Sequence, residues 1–239
     1  MSDWFQYTSA FNIHLSTKQE EQFQIYESLL LDWNSRMNLT AVRDVEGIQI
    51  RHFLDSLSGG LIPNIDEPGL SLIDVGTGGG FPGLPLKIAF PKIKLTLTDS
   101  VTRKTKFLEA VVQELGLKEV VILAERAEDV GQNANHREQY DIALARSVAY
   151  MPVLLEYLLP LTKVGGRTIC FKGDNAQTEA PEGDYAASVL GGQLAEIIKV
   201  KLIDHELRHH LVIYDKVAQT QNQYPRRPGR PLKKPLSTK

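Results

Sequence analysis

The sequence predicts an α/β protein: a mostly parallel, doubly wound sheet with one antiparallel strand and a helical extension ahead of it. Three observations predict this fold. First, the apolar run Leu72-Ile73-Asp74-Val75 breaks into Gly76-Thr77-Gly78-Gly79-Gly80-Phe81-Pro82-Gly83, and a helix-forming stretch, Leu84 to Phe90, follows. Strand, glycine turn and helix form the opening unit of such a sheet. Second, from Leu70 onward short apolar runs alternate with amphipathic ones, which calls for parallel strands covered on both faces by helices. Third, the last two strand-like stretches lie too close for a helical crossover, so one of them should run antiparallel.

Taken in order, Ser16-Thr17-Lys18-Gln19-Glu20 reads as a helix start, with Thr17 and Glu20 spaced as a capping box. Phe23, Tyr26, Leu30, Trp33 and Met37 then recur at steps of three and four, making one apolar helix face. Polar residues interrupt that face between Asn34 and Thr40. A second helix is expected from Val45 to Leu57, with Ile48, Phe53, Leu54 and Leu57 inward. Residues 1–62 thus form the helical extension, and Pro63 to Gly69 leads into the main domain, residues 63–217. Its strands are expected at Leu70 to Val75, Ile93 to Asp99, Val120 to Leu123 and Tyr140 to Ala145. Three more follow: Gly166 to Phe171 after the Gly165-Gly166 turn, Ile197 to Leu202, and His210 to Val217. Between them, Thr102 to Leu115 is helical, with Phe107, Leu108, Val111, Val112 and Leu115 inward and Gly116 just past its end. Met151 to Leu159 and residues 182–196 are also expected to be helical. Residues 218–239 form a basic tail. Its stretch Pro225 to Pro235 holds four of the chain's twelve prolines and is expected to lie extended on the surface.

Composition narrows the class. Hydrophobic residues make up 42% and charged residues 23% of the 239, the balance of an ordinary globular protein. The net charge of −2 hides an asymmetry: from Lys216 onward there are seven basic residues and no acidic ones, leaving 20 basic and 29 acidic residues before it. A basic tail on an acidic body suits a polyanionic partner, although a solubility element has the same composition. The lone Cys170 forms no internal disulfide, and no apolar run approaches a membrane span. The protein is therefore expected in the cytoplasm, as a monomer, with no membrane partner.

The glycine turn also speaks to the cofactor. The frame D-x-G-x-G-x-G, from Asp74 to Gly80, fits the strand end better than the literal G-x-G-x-x-G at Gly78, Gly80 and Gly83. A dinucleotide lays its pyrophosphate on this turn, where a carboxylate would repel it. S-adenosylmethionine brings no phosphate, but an ammonium and a sulfonium that Asp74 suits. The expected sheet is thus of the Rossmann-like, class I S-adenosylmethionine-dependent methyltransferase kind. In such sheets the ligand sits outside the carboxyl ends of the strands. The first end supplies Gly76, Gly78 and Phe81. The second supplies Asp99, 23 residues after Gly76, near the spacing at which an acidic residue holds ribose hydroxyls. The third supplies Ala127 and Glu128, which suit an adenine edge, although Glu128 equally suits a helix cap. The fourth supplies Arg146, suited to a carboxylate or substrate phosphate, or to a rim salt bridge. Arg103, Lys104 and Lys106 crowd the first turn of a helix, against its dipole. That crowding suits a nearby anion or a solvated face.

Absent motifs narrow the reaction. The fourth strand ends in Ala145-Arg146-Ser147-Val148, not in the Asn-Pro-Pro-aromatic run associated with methylating exocyclic amines. Cys170 lies within an apolar strand and reads as core, not as the nucleophile of a pyrimidine-C5 enzyme. No His or Cys spacing suggests zinc and no acidic cluster suggests Mg²⁺, so no metal is expected. Guanine N7 fits an acceptor that needs neither covalent nor metal help, because its lone pair lies in the ring plane and carries no proton. Catalysis would then be mostly alignment and desolvation of the sulfonium.

From Trp33 to Leu236 the chain resembles the bacterial 16S ribosomal RNA guanine-N7 methyltransferases, also called glucose-inhibited division protein B. The resemblance is carried by Trp33 to Thr40, His52-Phe53-Leu54-Asp55-Ser56-Leu57, Asp74 to Gly83, and Asp99-Ser100 with Lys104 and Phe107-Leu108. It continues through Arg126-Ala127-Glu128, Ala145-Arg146-Ser147, Lys172-Gly173 and Tyr224-Pro225-Arg226-Arg227-Pro228-Gly229. It implies methylation of N7 of guanine 527 in 16S rRNA, free or in the small ribosomal subunit, with S-adenosylmethionine as donor. It also implies cofactor contacts from Gly76, Phe81, Ala127, Glu128 and Arg146, with the ribose on Asp99. Asn38, Arg51, His52, Asp55, Lys172, Arg226 and Arg227 would then flank the acceptor or the RNA. Read without the resemblance, Arg51 or His52 pairs with Asp55 on one helix, or His52 is a satisfied structural histidine. Two features depart from the family pattern: three successive glycines in the turn, and an insert at residues 175–185. A small-molecule methyltransferase of the same fold and a non-catalytic RNA-binding assembly factor are the competing readings.

Overall fold

The computed structural model describes residues 4–202 and 207–237. Residues 1–3 of the extension and 238–239 of the tail lie outside the described residues. Helix α1 (Thr17–Met37) buries Phe23, Tyr26 and Leu30, while Trp33 and Met37 pack at the edge of the same core. It starts one residue earlier than the Thr17–Glu20 spacing implies. Gln19 Oε1 accepts from Ser16 N at 2.8 Å and Ser16 Oγ at 2.9 Å. The cause is tertiary: the Gln19 amide also donates to Ile88 O and Ala89 O at 2.7 and 3.0 Å. A glutamate has no N–H with which to do that. Asn38 ends the helix in the left-handed region at φ 48°.

The second expected helix is continuous but not uniform. Its α-helical turns α2 (Val45–Ile48) and α3 (Asp55–Leu57) flank a π-helical segment, Gln49–Leu54. Ile48, Phe53, Leu54 and Leu57 are fully buried, as the periodicity predicts. A π-segment shifts the register of side chains along a helix and is frequent at functional sites. Here it carries Arg51 and His52.

The sheet follows in alternation with helices: β1 (Ser71–Val75), α4 (Gly83–Ala89), β2 (Lys94–Thr98), α5 (Thr102–Glu114), β3 (Val120–Leu123), α6 (Ala127–Gln132), β4 (Tyr140–Arg146), α7 (Met151–Leu158) and β5 (Thr162–Lys172). Two long strands, β6 (Gly192–Leu202) and β7 (Leu207–Lys216), complete it. Spatial order is β3-β2-β1-β4-β5-β7-β6, and β7 runs antiparallel to both neighbours. One apolar core lies under the N-terminal extension, α4 and α5; the other lies under α7 and the helices that follow β5. No helix among the described residues is long and apolar enough to cross a membrane.

Three boundaries differ from expectation. β5 starts at Thr162, not after the Gly165-Gly166 turn. Thr162 pairs with Tyr140 and Arg167 with Ile142, so the glycines lie in a bulge inside the strand. The helix expected over 182–196 is α9 (Asp184–Leu190), preceded by α8 (Ala176–Glu179) and a 3₁₀ turn, Ala180–Gly183. Gly191 at φ 81° stops α9, and the chain enters β6 at once. The tail is not extended. It folds back on the body, buries Pro225 and Pro231, and ends in α10 (Arg230–Lys233). Side chains from the body hold its backbone: Arg137 donates to Thr220 O and Tyr224 O, and Gln132 Nε2 to Pro225 O at 2.7 Å.

Candidate active site

The central strand β1 ends between β2 and β4, with Val75 in register with Thr98 and Asp74 with Leu144. The glycine turn, Asp99 and Arg146 therefore emerge side by side at one end of the sheet. The turn is tightly held. Tyr26 Oη donates to Gly79 O, Gly80 N to Thr77 O at 2.9 Å, and Gly78 N to Asp99 Oδ2 at 3.0 Å. Gly80 sits at φ 97°, where an added Cβ would stand 2.4 Å from Leu84 and 2.5 Å from Tyr26. Gly78 differs: at φ 59°, its Cβ would meet nothing within 4 Å. Protein packing explains the first glycine, and open space over the turn surrounds the second.

Asp74 does not face that space. It is fully buried behind the turn, with Oδ2 accepting from Thr77 Oγ1 at 2.6 Å and from Gly83 N at 2.8 Å. Oδ1 is buried without a hydrogen-bond partner. Burial outweighs those two hydrogen bonds and pushes the carboxyl up to about 6. The expected contact between this carboxylate and a ligand is thus replaced by a structural hold on the turn, with charge acting only through space.

Two cavities open on this end of the sheet. The smaller, of about 320 Å³, lies over β2 and β3, among Asp99, Lys104, Ala127, Glu128 and Tyr157. Asp99 takes hydrogen bonds from Gly78 N and from Val101 N at 2.9 Å, and Lys104 Nζ stands 3.5 Å away. Each carboxylate oxygen has a second lone pair with which to accept from a ligand hydroxyl. Lys104 therefore pairs with Asp99, which accounts for one of the three cations on the first turn of α5. The larger cavity, of about 470 Å³, lies over the turn, among Thr40, Arg51, His52, Asp55, Gly78, Phe81, Arg146, Lys172 and His209. The two cavities share Gly76 and Ser147.

In the larger cavity the expected pairing of Asp55 with Arg51 or His52 gives way to another. Asp55 binds Arg146 Nη1 through Oδ2, and His209 Nδ1 stands 2.9 Å from its Oδ1. Arg146 stands between Asp55 and His52, its Nη2 3.3 Å from His52 Nδ1, and Arg51 reaches Asp44 at 3.6 Å instead. Burial alone would raise the Asp55 carboxyl, but the His209 hydrogen bond and the Arg146 charge hold it below its ordinary value. Arg146 also donates to Arg51 O at 3.1 Å and lies 5.2 Å over the Phe81 ring. His52 stacks on Phe81 at 4.6 Å, and its Nε2 stands 2.7 Å from Thr40 Oγ1. Burial and Arg146 lower its pKa to about 4, so the ring is neutral at pH 7.

Lys172 donates to Ala149 O at 2.8 Å and pairs with Glu179, which also accepts from Met151 N at 2.7 Å. The insert thereby supplies the counter-ion of an expected site lysine. Cys170 lies in the core, where burial pushes its thiol up to about 12. Asn38, at the end of α1, accepts from Arg43 at 3.2 Å. Arg227 is exposed. Arg226, expected beside RNA, is engaged instead by Glu156, a carboxylate with no exposed surface: Arg226 N, Nε and Nη2 donate to it at 2.9, 2.8 and 2.5 Å. Glu128 stands in the first turn of α6, and its Oε1 accepts from Gly229 N at 2.9 Å. The residues that sequence reasoning missed are Thr40, His209, Tyr157, Glu156 and the wall residues Gly229 and Leu232. Thr40 and Gly229 lay within stretches that carry the resemblance but had no role assigned, and Glu156 carried a signal as an acidic residue within an apolar helix.

The smaller cavity offers the Asp99 carboxylate to a ligand's hydroxyls, a second carboxylate lies behind the turn, and Gly78 leaves the turn open; Arg51, Arg146 and Lys172 line the larger one. A family model described as rRNA small subunit methyltransferase G matches residues 19–211. The chain is 48% identical over 223 residues to ribosomal RNA small subunit methyltransferase G of Alkaliphilus metalliredigens, covering 93% of each chain. It is 44% identical to the protein of the same name from Acetivibrio thermocellus, covering 96% of this chain and 93% of that one. Among solved structures, MtNAS in complex with MTA and tNA aligns with a TM-score of 0.56 at 13% identity, over 84% of this chain and 74% of the other. At that identity the likeness is one of fold.

Proposed function

The chain belongs to the rRNA small subunit methyltransferase G family, and from that premise we propose that it transfers a methyl group from S-adenosylmethionine to N7 of a guanine in 16S rRNA. The resemblance implies guanine 527. The observation that carries the proposal is the two-lobed cleft whose lobes meet at Gly76 and Ser147. One lobe has the groups for an adenosyl moiety and the other has the groups for a base. S-adenosylmethionine, when bound, supplies a methyl group on a cationic sulfur.

In this reading Asp99 takes the ribose hydroxyls, and Ala127 and Glu128 border the adenine. Gly78 leaves room for the chain that bears the sulfonium, and Gly76, packed against Val148, lines both lobes. Asp74 shapes the turn and contributes its charge from behind. In the larger lobe Phe81, His52 and Arg146 form a stacked layer of two rings and a guanidinium, suited to the face and edge of a purine. A neutral His52 can accept or donate a hydrogen bond without placing a second cation beside the sulfonium. Asp55 and His209 fix Arg146 in place. N7 has no proton to lose, so these residues orient the base and exclude water; they do not act as general bases. Arg51 and Lys172 line the larger lobe, Asn38 and Arg227 are exposed, and in this reading all four meet RNA. The division into extension, catalytic domain and basic tail is functional in this reading, and the protein works as a cytoplasmic monomer on its RNA.

Methyl transfer from labelled S-adenosylmethionine to 16S rRNA tests the proposal, with naked rRNA compared against small subunits. The expected result is label released as 7-methylguanine from one position. Label at an exocyclic amine or at ribose would refute the acceptor assignment.

A further inference from the structure

The tail enters the chemistry by a route that its composition does not announce. Its basic residues invite the role of an RNA arm, yet its inner side is occupied by the body. Arg226 meets Glu156 through three donors, and Glu156 lies inside α7 with no exposed surface. Three residues further on, Gly229 N donates to Glu128 Oε1 at 2.9 Å. Pro225 rests on α6, where a Cβ at Gly131 would stand 2.7 Å from its ring. With these anchors made, Gly229 and Leu232 border the smaller cavity, facing Tyr157, Ala127 and Glu128.

We infer that the C-terminal segment from Arg226 to Leu232 is a wall of the cofactor lobe, latched by Arg226 on Glu156. Arg226 is then a positioning residue for the cofactor and not an RNA contact. The Gly229 hydrogen bond gives Glu128 a fixed orientation toward the cavity. Leu232, 62% exposed at the rim, closes the lobe against water only while the latch holds. This inference rests on reading the smaller lobe as the adenosyl site.

Calorimetry with S-adenosylhomocysteine on the full-length protein, without RNA, tests it. Wild type should bind, and Arg226→Ala should bind about tenfold more weakly, because a pre-organised wall has become mobile. In steady state Arg226→Ala should raise the KM for S-adenosylmethionine and leave the KM for rRNA unchanged. Arg226→Ala also strands a buried carboxylate. Leu232→Ala therefore provides a second variant, whose exposed position leaves folding intact. It should weaken S-adenosylhomocysteine about fourfold, the worth of one buried methylene. Wild-type affinity in both Arg226→Ala and Leu232→Ala would overturn the inference, as would an Arg226→Ala variant impaired in its KM for rRNA alone. Absence of binding to wild type would instead overturn the underlying assignment of the lobe.

Discussion

Replacing Asp74 by asparagine removes a charge from the middle of the protein while keeping its shape. The carboxyl is buried behind the glycine turn, and one of its oxygens has no hydrogen-bond partner. Its pKa is raised from an ordinary 3.8 to about 6, chiefly by burial. A folded-state value above the unfolded one means that the folded protein binds the extra proton between about pH 4 and pH 6. The contribution to stability is therefore largest below pH 4 and declines as pH rises through 6. In full the shift is worth about 3 kcal/mol. About 2 kcal/mol of it falls between pH 4.5 and pH 7.5. Urea unfolding of wild type and Asp74→Asn across that interval reads it directly, because every other carboxyl titrates in both proteins and cancels. The difference in unfolding free energy should shift by about 2 kcal/mol in favour of Asp74→Asn as pH rises. Two curves that stay parallel from pH 4.5 to 7.5 would show that the carboxyl is not held in this way. The same substitution should weaken S-adenosylmethionine more than S-adenosylhomocysteine, since only the former carries a sulfonium. Equal losses would remove the through-space role.

Three further outcomes are expected. Arg146→Ala leaves the buried Asp55 carboxylate with His209 alone, so urea titration should show a loss of about 3 kcal/mol, together with a fall in turnover on rRNA. A stable, fully active variant would return Arg146 to a rim salt bridge. His52 should stay neutral down to about pH 4. Its depressed pKa contributes stability above pH 6.5 that is lost as pH falls toward 4. Ring NMR titration checks this, and a midpoint near 6.5 would contradict the burial and the Arg146 contact. Gly80→Ala and Gly78→Ala should separate fold from site. The first collides with Leu84 and Tyr26 and should cost about 2 kcal/mol or more of stability. The second costs about 1 kcal/mol of backbone strain, but should lose most cofactor affinity in calorimetry, because its Cβ enters ligand space.

What was legible in the sequence was local. Strands, the glycine turn and the helix faces write their periodicity into neighbouring residues, and Asp99 stands at a strand end that the alternation locates. What was not legible depended on residues far apart in the chain. The cap of α1 moved to Ser16 and Gln19 because Gln19 also binds carbonyls at Ile88 and Ala89. Asp55 lies on the same helix as Arg51 and His52, yet its partners are Arg146 and His209, from two different strands. The tail reads as extended by its prolines, yet it is folded back by Gln132, Arg137 and Glu156, each roughly 70 to 90 residues upstream. Asp74 was correctly singled out as unusual. Its hydrogen bonds to Thr77 and Gly83 show that a carboxylate beside a glycine turn can serve the turn before it serves a ligand.

The two lobes of the cleft have Gly76 and Ser147 in common, and neither offers a bulky side chain at the junction. Ser147 is itself held in the left-handed region, at φ 58°. The passage between methyl donor and acceptor is thus framed largely by main chain. Its position follows from how β1 and β4 lie side by side, and the Val148 side chain packs against Gly76 at its edge. A substitution at Gly76 or Ser147 therefore reaches both lobes at once, whereas one at His52 or Tyr157 reaches a single lobe directly.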